Sequence, residues 1–443
     1  MTTASSPLAV AVVGSGIAGL AASWLIKKRH GVTLYERAAT LGGHCNTVDV
    51  PDANGNPVAV DTGFIVYNTV NYPNLVALFQ ELGVATHASD MSFAVSLDGG
   101  RLEYSGADLG GLFAQPANLV RPRFWAMLRD IVRFYRTAPT LLADEACDLT
   151  LGAYLDAGKF SRAFAEEHIL PMGAAIWSSS LADMRRYPAR NFVQFFENHG
   201  LLRLGRRPEW RTVTGGSRVY VARLAAALDG GIERACHVRS VRRLPGGVEV
   251  ADAGGRVRRF DHVVIAAHAD EALGLLADAD AEERRILGQF RYARNRAVLH
   301  SDPRFMPVRR RAWASWNYLG EGDGAICVTY WMNRLQKLPC RRDFFLTLNP
   351  PRPPGAVHAS FEYDHPNFDS AASAAQRELW SLQGRRRTWF CGAHFGAGFH
   401  EDALQAGLAV AEALGGVRRP WSVANESGRI WLEPRAVLGE AAE

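Results

Sequence analysis

Residues Leu8 to Glu36 constrain this chain more tightly than any other stretch. Leu8-Ala9-Val10-Ala11-Val12-Val13 is a short, wholly apolar run, as a parallel strand buried on both faces requires. Gly14-Ser15-Gly16-Ile17-Ala18-Gly19 follows at once and supplies G-x-G-x-x-G. Leu20 to Lys28 reads as a helix and Val32 to Tyr35 as a second strand, which Glu36 closes 20 residues after Gly16. Each residue type has a physical task. Gly14 permits the tight turn, Gly16 lets a pyrophosphate approach the backbone, and Gly19 lets helix and strand pack closely. The helix N-terminus faces the phosphate charge. A carboxylate at the end of the second strand accepts hydrogen bonds from ribose hydroxyls and repels a 2′-phosphate, which argues against NADP. Strand, loop, helix and acid in this order make a dinucleotide cradle rather than a ligand-free turn.

The rest of the composition narrows the field. With 443 residues there is room for two or three domains, and 48% apolar against 21% charged residues excludes disorder. A net charge of +5, from 50 basic and 45 acidic residues, does not imply nucleic-acid binding. Cys45, Cys147, Cys236, Cys327, Cys340 and Cys391 lie far apart without a C-x-x-C, and no H-E-x-x-H occurs. No disulfide framework, zinc site or other metal is expected. The N-terminus lacks the charged and apolar regions of a signal peptide. The apolar stretch from Leu8 to Ile26 is broken by three glycines and belongs to the cradle, not to a membrane span. A cytoplasmic protein is expected, with peripheral contact at the inner membrane surface left open. Nothing in the composition fixes an oligomeric state.

The next residues separate NAD from FAD. Arg37 follows Glu36, and then come Leu41-Gly42-Gly43-His44-Cys45-Asn46-Thr47. This resembles the FAD-dependent amine oxidase and phytoene desaturase superfamily, whose usual string is L-G-G-R-x-x-T. His44 stands where many members have Arg. Val58-Ala59-Val60-Asp61-Thr62-Gly63-Phe64 is similar to the superfamily's turn beside the flavin. Thr388 to Cys391, then Gly392-Ala393-His394-Phe395-Gly396-Ala397-Gly398, then Phe399-His400-Glu401-Asp402, resemble its closing strand, loop and helix. The resemblance implies tightly bound, noncovalent FAD. The implied contacts are Gly14, Ser15, Gly16, Ile17, Ala18, Gly19, Glu36, Arg37, Gly42, Gly43, His44, Asp61, Thr62, Gly63, Val238, Gly392, Glu401, Asp402 and Ala403. A helix N-terminus at Glu401 to Ala403 stabilises negative charge on a reduced flavin, while the Glu401 and Asp402 side chains cap that helix. In the superfamily a strand like Gly231 to Val238 places a valine backbone at the adenine, which here is Val238.

The expected fold is therefore α/β, a Rossmann-like FAD-binding domain with an interleaved α+β substrate domain. Residues 1–69, 211–289 and 366–420 are read as the FAD-binding domain. Residues 70–210 and 290–365 are read as the substrate domain, and 421–443 as a C-terminal tail. Phe124, Trp125, Trp177, Phe192, Phe195, Phe196, Trp313, Trp316, Tyr318, Tyr330 and Trp331 enrich the substrate domain in rings. Most belong to its core, and some are expected to line an apolar pocket facing the flavin. Strings such as 171–177, 198–202, 312–318 and 328–335 resemble a bacterial flavoprotein family labelled only "predicted NAD/FAD-binding protein". Its gene neighbours imply lipid substrates.

The chemistry implied is hydride abstraction from a C–H bond of a long acyl chain or lipid. Small-amine oxidation, redox-neutral lipid isomerisation and a non-enzymatic flavin-binding regulatory module are the alternatives. Amine oxidases of the superfamily often keep a lysine near the flavin. Lys27 and Lys28 lie on the cradle helix, which leaves Lys159 and Lys337 as candidates. No catalytic residue is assigned; His199, Asn198, Tyr330, Asn333 and His400 are polar groups in strings that could face the flavin. Arg121 to Arg136 places Trp125, Leu128, Ile131, Val132 and Tyr135 on one helical face, flanked by Arg129, Arg133 and Arg136. That pattern suits a helix lying on a bilayer, and equally an amphipathic helix packed on its own domain.

Overall fold

The computed structural model describes residues 6–144, 148–177, 179–203, 205, 208–320 and 327–432. Cys147, the first five residues and the end of the expected C-terminal tail lie outside them. A five-stranded parallel sheet is assembled from distant parts of the chain. Its order is Ile232–Glu233, Gly31–Tyr35, Ala9–Val13, His262–Ile265 and Thr388–Phe390. Ala9–Val13 is central and flanked on both sides, which is why its valines are fully buried. The cradle helix Ile17–Ile26 is buried all round. The sheet lies on one side of it and the return helix His400–Gly415 on the other. The two helices touch backbone to backbone: a Cβ at Gly407 would collide with the carbonyl of Ala18.

In two intervals between its visits to this sheet, at residues 93–105 and 291–367, the chain builds a seven-stranded sheet. Its order is Val357–Asn367, Arg291–His300, Phe345–Leu348, Cys327–Trp331, Trp316–Gly320, Phe93–Leu97 and Leu102–Ser105. All its pairs are antiparallel except Trp316–Gly320 with Phe93–Leu97. Helices Pro122–Thr137, Leu170–Trp177 and Ala189–Asn198 belong to the same half of the molecule. This is the α/β architecture expected, with a second α+β unit threaded through a Rossmann-like sheet.

Two local expectations are corrected. Gly231 to Val238 is not one strand. Ile232–Glu233 pairs with Leu34 and Tyr35, the chain turns at Ala235 (φ +50°), and Val238 opens a separate sheet with Gly247–Asp252 and Val257–Phe260. On helix Pro122–Thr137 the packed face is Phe124, Met127, Asp130, Phe134 and Tyr135, with Leu128 and Ile131 against the core. Of the apolar stripe read from the sequence, Leu128, Ile131 and Tyr135 pack inward, while Trp125 stays exposed. Asp130 draws this face in: it accepts the N–H of Ser161 at 2.7 Å, while Phe134 packs on Phe160 and Phe164.

Candidate active site

The cradle is wired through one serine. Ser15 donates from its backbone N–H (3.0 Å) and hydroxyl (2.6 Å) to one oxygen of Glu36, whose other oxygen accepts Ala38 N–H at 2.8 Å. Gly42 N–H in turn reaches the Ser15 hydroxyl at 3.1 Å. The glycine loop, the acid and the Gly42-Gly43 pair thus form one unit. Gly14, Gly42 and Gly43 have φ of +102°, +116° and +57°, where a side chain would be strained. A Cβ on Gly16 would meet nothing within 4 Å, and one on Gly43 only Gly16. The cradle helix begins at Ile17 with no side-chain cap and no acid in its first turn. Open space, uncapped N–H groups and a fixed carboxylate fit the pyrophosphate and ribose of a dinucleotide. Gly19 does the packing expected of it, since a Cβ there would strike the Gly14 carbonyl.

The return helix supplies the opposite wall. Asp402 caps its own helix by accepting Phe399 N–H at 2.7 Å, and it pairs with Arg429 at 2.6 Å. Glu401 does not cap its own helix as expected. It accepts Asn74 N–H (3.1 Å), the Asn74 side-chain amide (2.9 Å), Leu75 N–H (3.0 Å) and Gln405 (3.0 Å), so it caps helix Pro73–Glu81. Burial raises the Glu401 carboxyl, and these donors with Arg429 pull it back down. Ala403 N–H bonds to Phe399 inside the helix at 3.1 Å. Ile17 and Ala18 are buried in the cradle helix. Gly392 is buried, and a Cβ there would meet the His394 ring.

Asp61-Thr62-Gly63 turns out to be a joint between segments. The buried Asp61 carboxylate accepts Thr47 (2.5 Å), Ser217 N–H (2.9 Å) and hydroxyl (2.8 Å), and Gln336 (2.8 Å). Burial lifts it to about 6 against these donors. Thr62 bonds to Asn46 O and Tyr363, and Gly63 packs on the His44 carbonyl. Sequence reasoning passed over Gly215-Gly216-Ser217. Both glycines have positive φ (+83° and +87°), and the turn they make delivers Ser217 to Asp61.

His44 stands on a wall of half-buried histidines. Its ring lies 5.1 Å from Tyr363, 5.6 Å from His365 and 6.2 Å from His268. Burial, with neighbouring histidines, lowers His44 to about 3 and His365 to about 4. His400 stacks on Phe64 at 3.8 Å and shares a 2.6 Å hydrogen bond with Tyr220, which also bonds to Cys45. Burial keeps His400 neutral, down at about 3. Tyr220 and Tyr363 carry no local sequence signal; strand and helix packing bring them in.

Other expected residues lie elsewhere. The Arg37 side chain pairs with Glu271 at 2.7 Å on the surface. Val238 is buried at the start of its strand, just beyond the point where Cys236 N–H bonds to Glu36 O. Asn198 is exposed, and Asn333 holds Arg342 O and Phe344 N–H. Tyr330 packs edge-on against Trp316. Lys159 and Lys337 are exposed, so neither stands in the cleft. Next to the return helix, Phe399 lies 4.6 Å from Phe195, 5.9 Å from His199 and 6.3 Å from Trp177. His199 Nδ1 donates to Phe195 O at 2.9 Å, and burial lowers the ring to about 3, so it is neutral.

The sequence model described as flavin containing amine oxidoreductase matches residues 17–313, more than half of the chain. The chain belongs to this family. As a flavin containing amine oxidoreductase it is an FAD-dependent oxidoreductase, and the cradle described above fits that cofactor. No curated protein sequence matches the chain at a significant level. Several solved structures share the fold. A putrescine oxidase bound to putrescine is similar at TM-score 0.67 and 14% identity, covering 92% of this chain and 99% of the other. A fatty acid isomerase from P. acnes, which produces CLA, is similar at 0.64 and 16%, covering 94% and 100%. Cyclohexylamine oxidase from Brevibacterium oxydans IH-35A is similar at 0.63 and 15%, covering 92% and 99%. Among the described residues, no helix is long and apolar enough to cross a membrane, and no group of His, Cys, Asp and Glu is arranged to hold a metal ion.

Proposed function

We propose that this oxidoreductase removes a hydride from a C–H bond of a long acyl chain. The supporting observation is the wall at the start of the return helix, where Phe399, Phe195, Trp177 and the neutral His199 meet. The carboxylates next to it are already engaged, Glu401 by helix Pro73–Glu81 and Asp402 by Arg429. The side chains of this wall are mostly aromatic and buried, and an ammonium group would find no free counter-ion beside them, whereas an acyl chain needs none. Lys159 and Lys337 lie outside, which also favours this reading over amine oxidation. The fold itself serves a fatty acid isomerase as well as amine oxidases, so the side chains of the wall carry the choice.

Bound FAD supplies a two-electron hydride acceptor. The chain's own part is to hold it. The 14–19 loop and Gly42-Gly43 would hold the pyrophosphate, Glu36 the ribose, and the first turn of the return helix the pyrimidine edge. The narrower resemblance to bacterial flavoproteins with lipid-linked gene neighbours points the same way.

The test is anaerobic mixing of the purified yellow protein with an unsaturated fatty acid, a phospholipid carrying one, putrescine and cyclohexylamine. Bleaching of the flavin absorbance by an acyl substrate alone is the expected outcome. A product with a shifted double bond and a flavin still oxidised would assign isomerisation instead. Bleaching by the amines alone would overturn the acyl reading.

A further inference from the structure

One corner of the substrate half holds apolar side chains out in water. Val120 is 82% exposed, Leu109 75%, Leu119 53% and Trp125 49%. These residues are connected. Leu119 and Val120 end the turn Pro116–Val120, which leads into helix Pro122–Thr137. Trp125 Nε1 donates to Leu119 O at 2.9 Å. Its ring lies 5.9 Å from Phe113, which closes the short helix begun at Leu109. Isolated exposed apolar residues are ordinary, but a connected knob of four is not.

The same helix carries cations beyond the knob. Arg129, Arg133 and Arg136 follow Trp125 at i+4, i+8 and i+11, along one face. With Val132 and Thr137 they line a shallow groove of 430 Å³. Arg133 is steadied by stacking on Phe160 at 3.9 Å. The helix's acid, Asp130, is buried and pairs with Arg129 at 3.4 Å and Arg133 at 3.3 Å, yet three arginines against one acid leave the outer face net positive.

We propose that this corner seats the protein on an anionic lipid bilayer. Leu119, Val120 and Trp125 enter the boundary between headgroups and acyl chains, and the arginine row meets lipid phosphates. An apolar knob with a tryptophan at its edge and a cationic row beside it matches an oil–water boundary with negative charge at its rim. A second copy of this chain fits poorly, because a twofold contact through this face would bring one arginine row against the other. The docking surface stands independently of the substrate, since it is built from residues outside the flavin cleft.

The test uses the full-length, FAD-loaded protein and vesicle co-sedimentation. The probes are phosphatidylcholine vesicles, with and without phosphatidylglycerol, at low and high salt. Binding to the anionic vesicles, released by salt, is expected, with little binding to phosphatidylcholine alone. Val120→Glu should abolish it. Arg129→Glu and Arg136→Glu should each weaken it about fivefold or more. Val257→Glu, at an exposed valine elsewhere, should leave it unchanged. Flavin absorbance and circular dichroism equal to those of the parent show that each variant is folded. Absence of pelleting with anionic vesicles at low salt would overturn the proposal. So would a folded Val120→Glu that pellets like the parent, or one that only splits a dimer.

Discussion

Two glycines three residues apart in the same loop differ in what a side chain would do. Gly16 has φ −61° and ψ 174°, which any residue adopts, and a Cβ there points into the open cleft. Gly19 is locked against the Gly14 carbonyl. Gly16→Val should therefore fold with a stability loss under about 1 kcal/mol and lose its flavin. Gly19→Val should fail to fold, because a backbone carbonyl cannot move aside. Soluble yield, circular dichroism and flavin absorbance check both; full flavin occupancy in Gly16→Val would refute the cradle assignment. These glycines were legible in the sequence because their task is local, set by the turn and the helix that follows. Asp61 and Glu401 were legible as polar residues in the right strings but not in their roles. Their partners lie 156 and 327 residues away, and only the tertiary fold names them.

At the scale of elements, the decisive contact is the crossing of the cradle and return helices. Gly407 lets the return helix sit on the carbonyl of Ala18, so the position of Phe399 and His400 depends on a residue two turns further along. Gly407→Leu should force the helices apart and cost about 3 kcal/mol or more. FAD occupancy should fall with it even though no cofactor-facing atom has changed. Urea denaturation and released-flavin assay measure the two effects, and a stable, fully yellow variant would show that the crossing does not set the cleft. The sequence showed both helices through their apolar periodicity, yet not that they cross here. The helix at 122–137 was legible as amphipathic too, and Leu128, Ile131 and Tyr135 of its stripe pack inward, but the burial of Asp130 beside them is something no hydrophobic pattern records. The strand at 231–238 failed for a related reason. Gly231 to Val238 carries no continuous apolar run, and the turn at Ala235 depends on which sheet each half can reach.

Across the whole molecule, histidines govern the response to acid. His199, His300 and His394 are almost wholly buried, and burial lowers them to about 3, 4 and 3. His300 is held neutral by geometry as well: its Nδ1 accepts Asp302 N–H at 3.0 Å, so its Nε2–H donates to Thr347 at 2.7 Å. Below the unfolded value of about 6.5, the unfolded chain binds protons that the folded one refuses. Stability is therefore fully present above that pH and is lost as pH falls, by up to about 1.4 kcal/mol per pH unit for each histidine. Asp61, raised to about 6, opposes this only between about 4 and 6, and the raised Glu401 and Asp402 oppose it likewise, but His44, His365 and His400 are lowered as well and keep the histidines in the majority. Urea midpoints should be flat from pH 7 to 8.5 and drop steeply toward pH 5; an unchanged midpoint at pH 5 would contradict the assignment. The order in which the sheet is strung has a consequence for biosynthesis. Its edge strand Thr388–Phe390 and the helix that follows leave the ribosome only after the other four strands of the sheet. A nascent chain can form the phosphate loop early but has no closed vessel to keep a dinucleotide in. Tight flavin loading is thus expected to wait for that strand and helix, and a chain cut short before residue 388 should purify colourless.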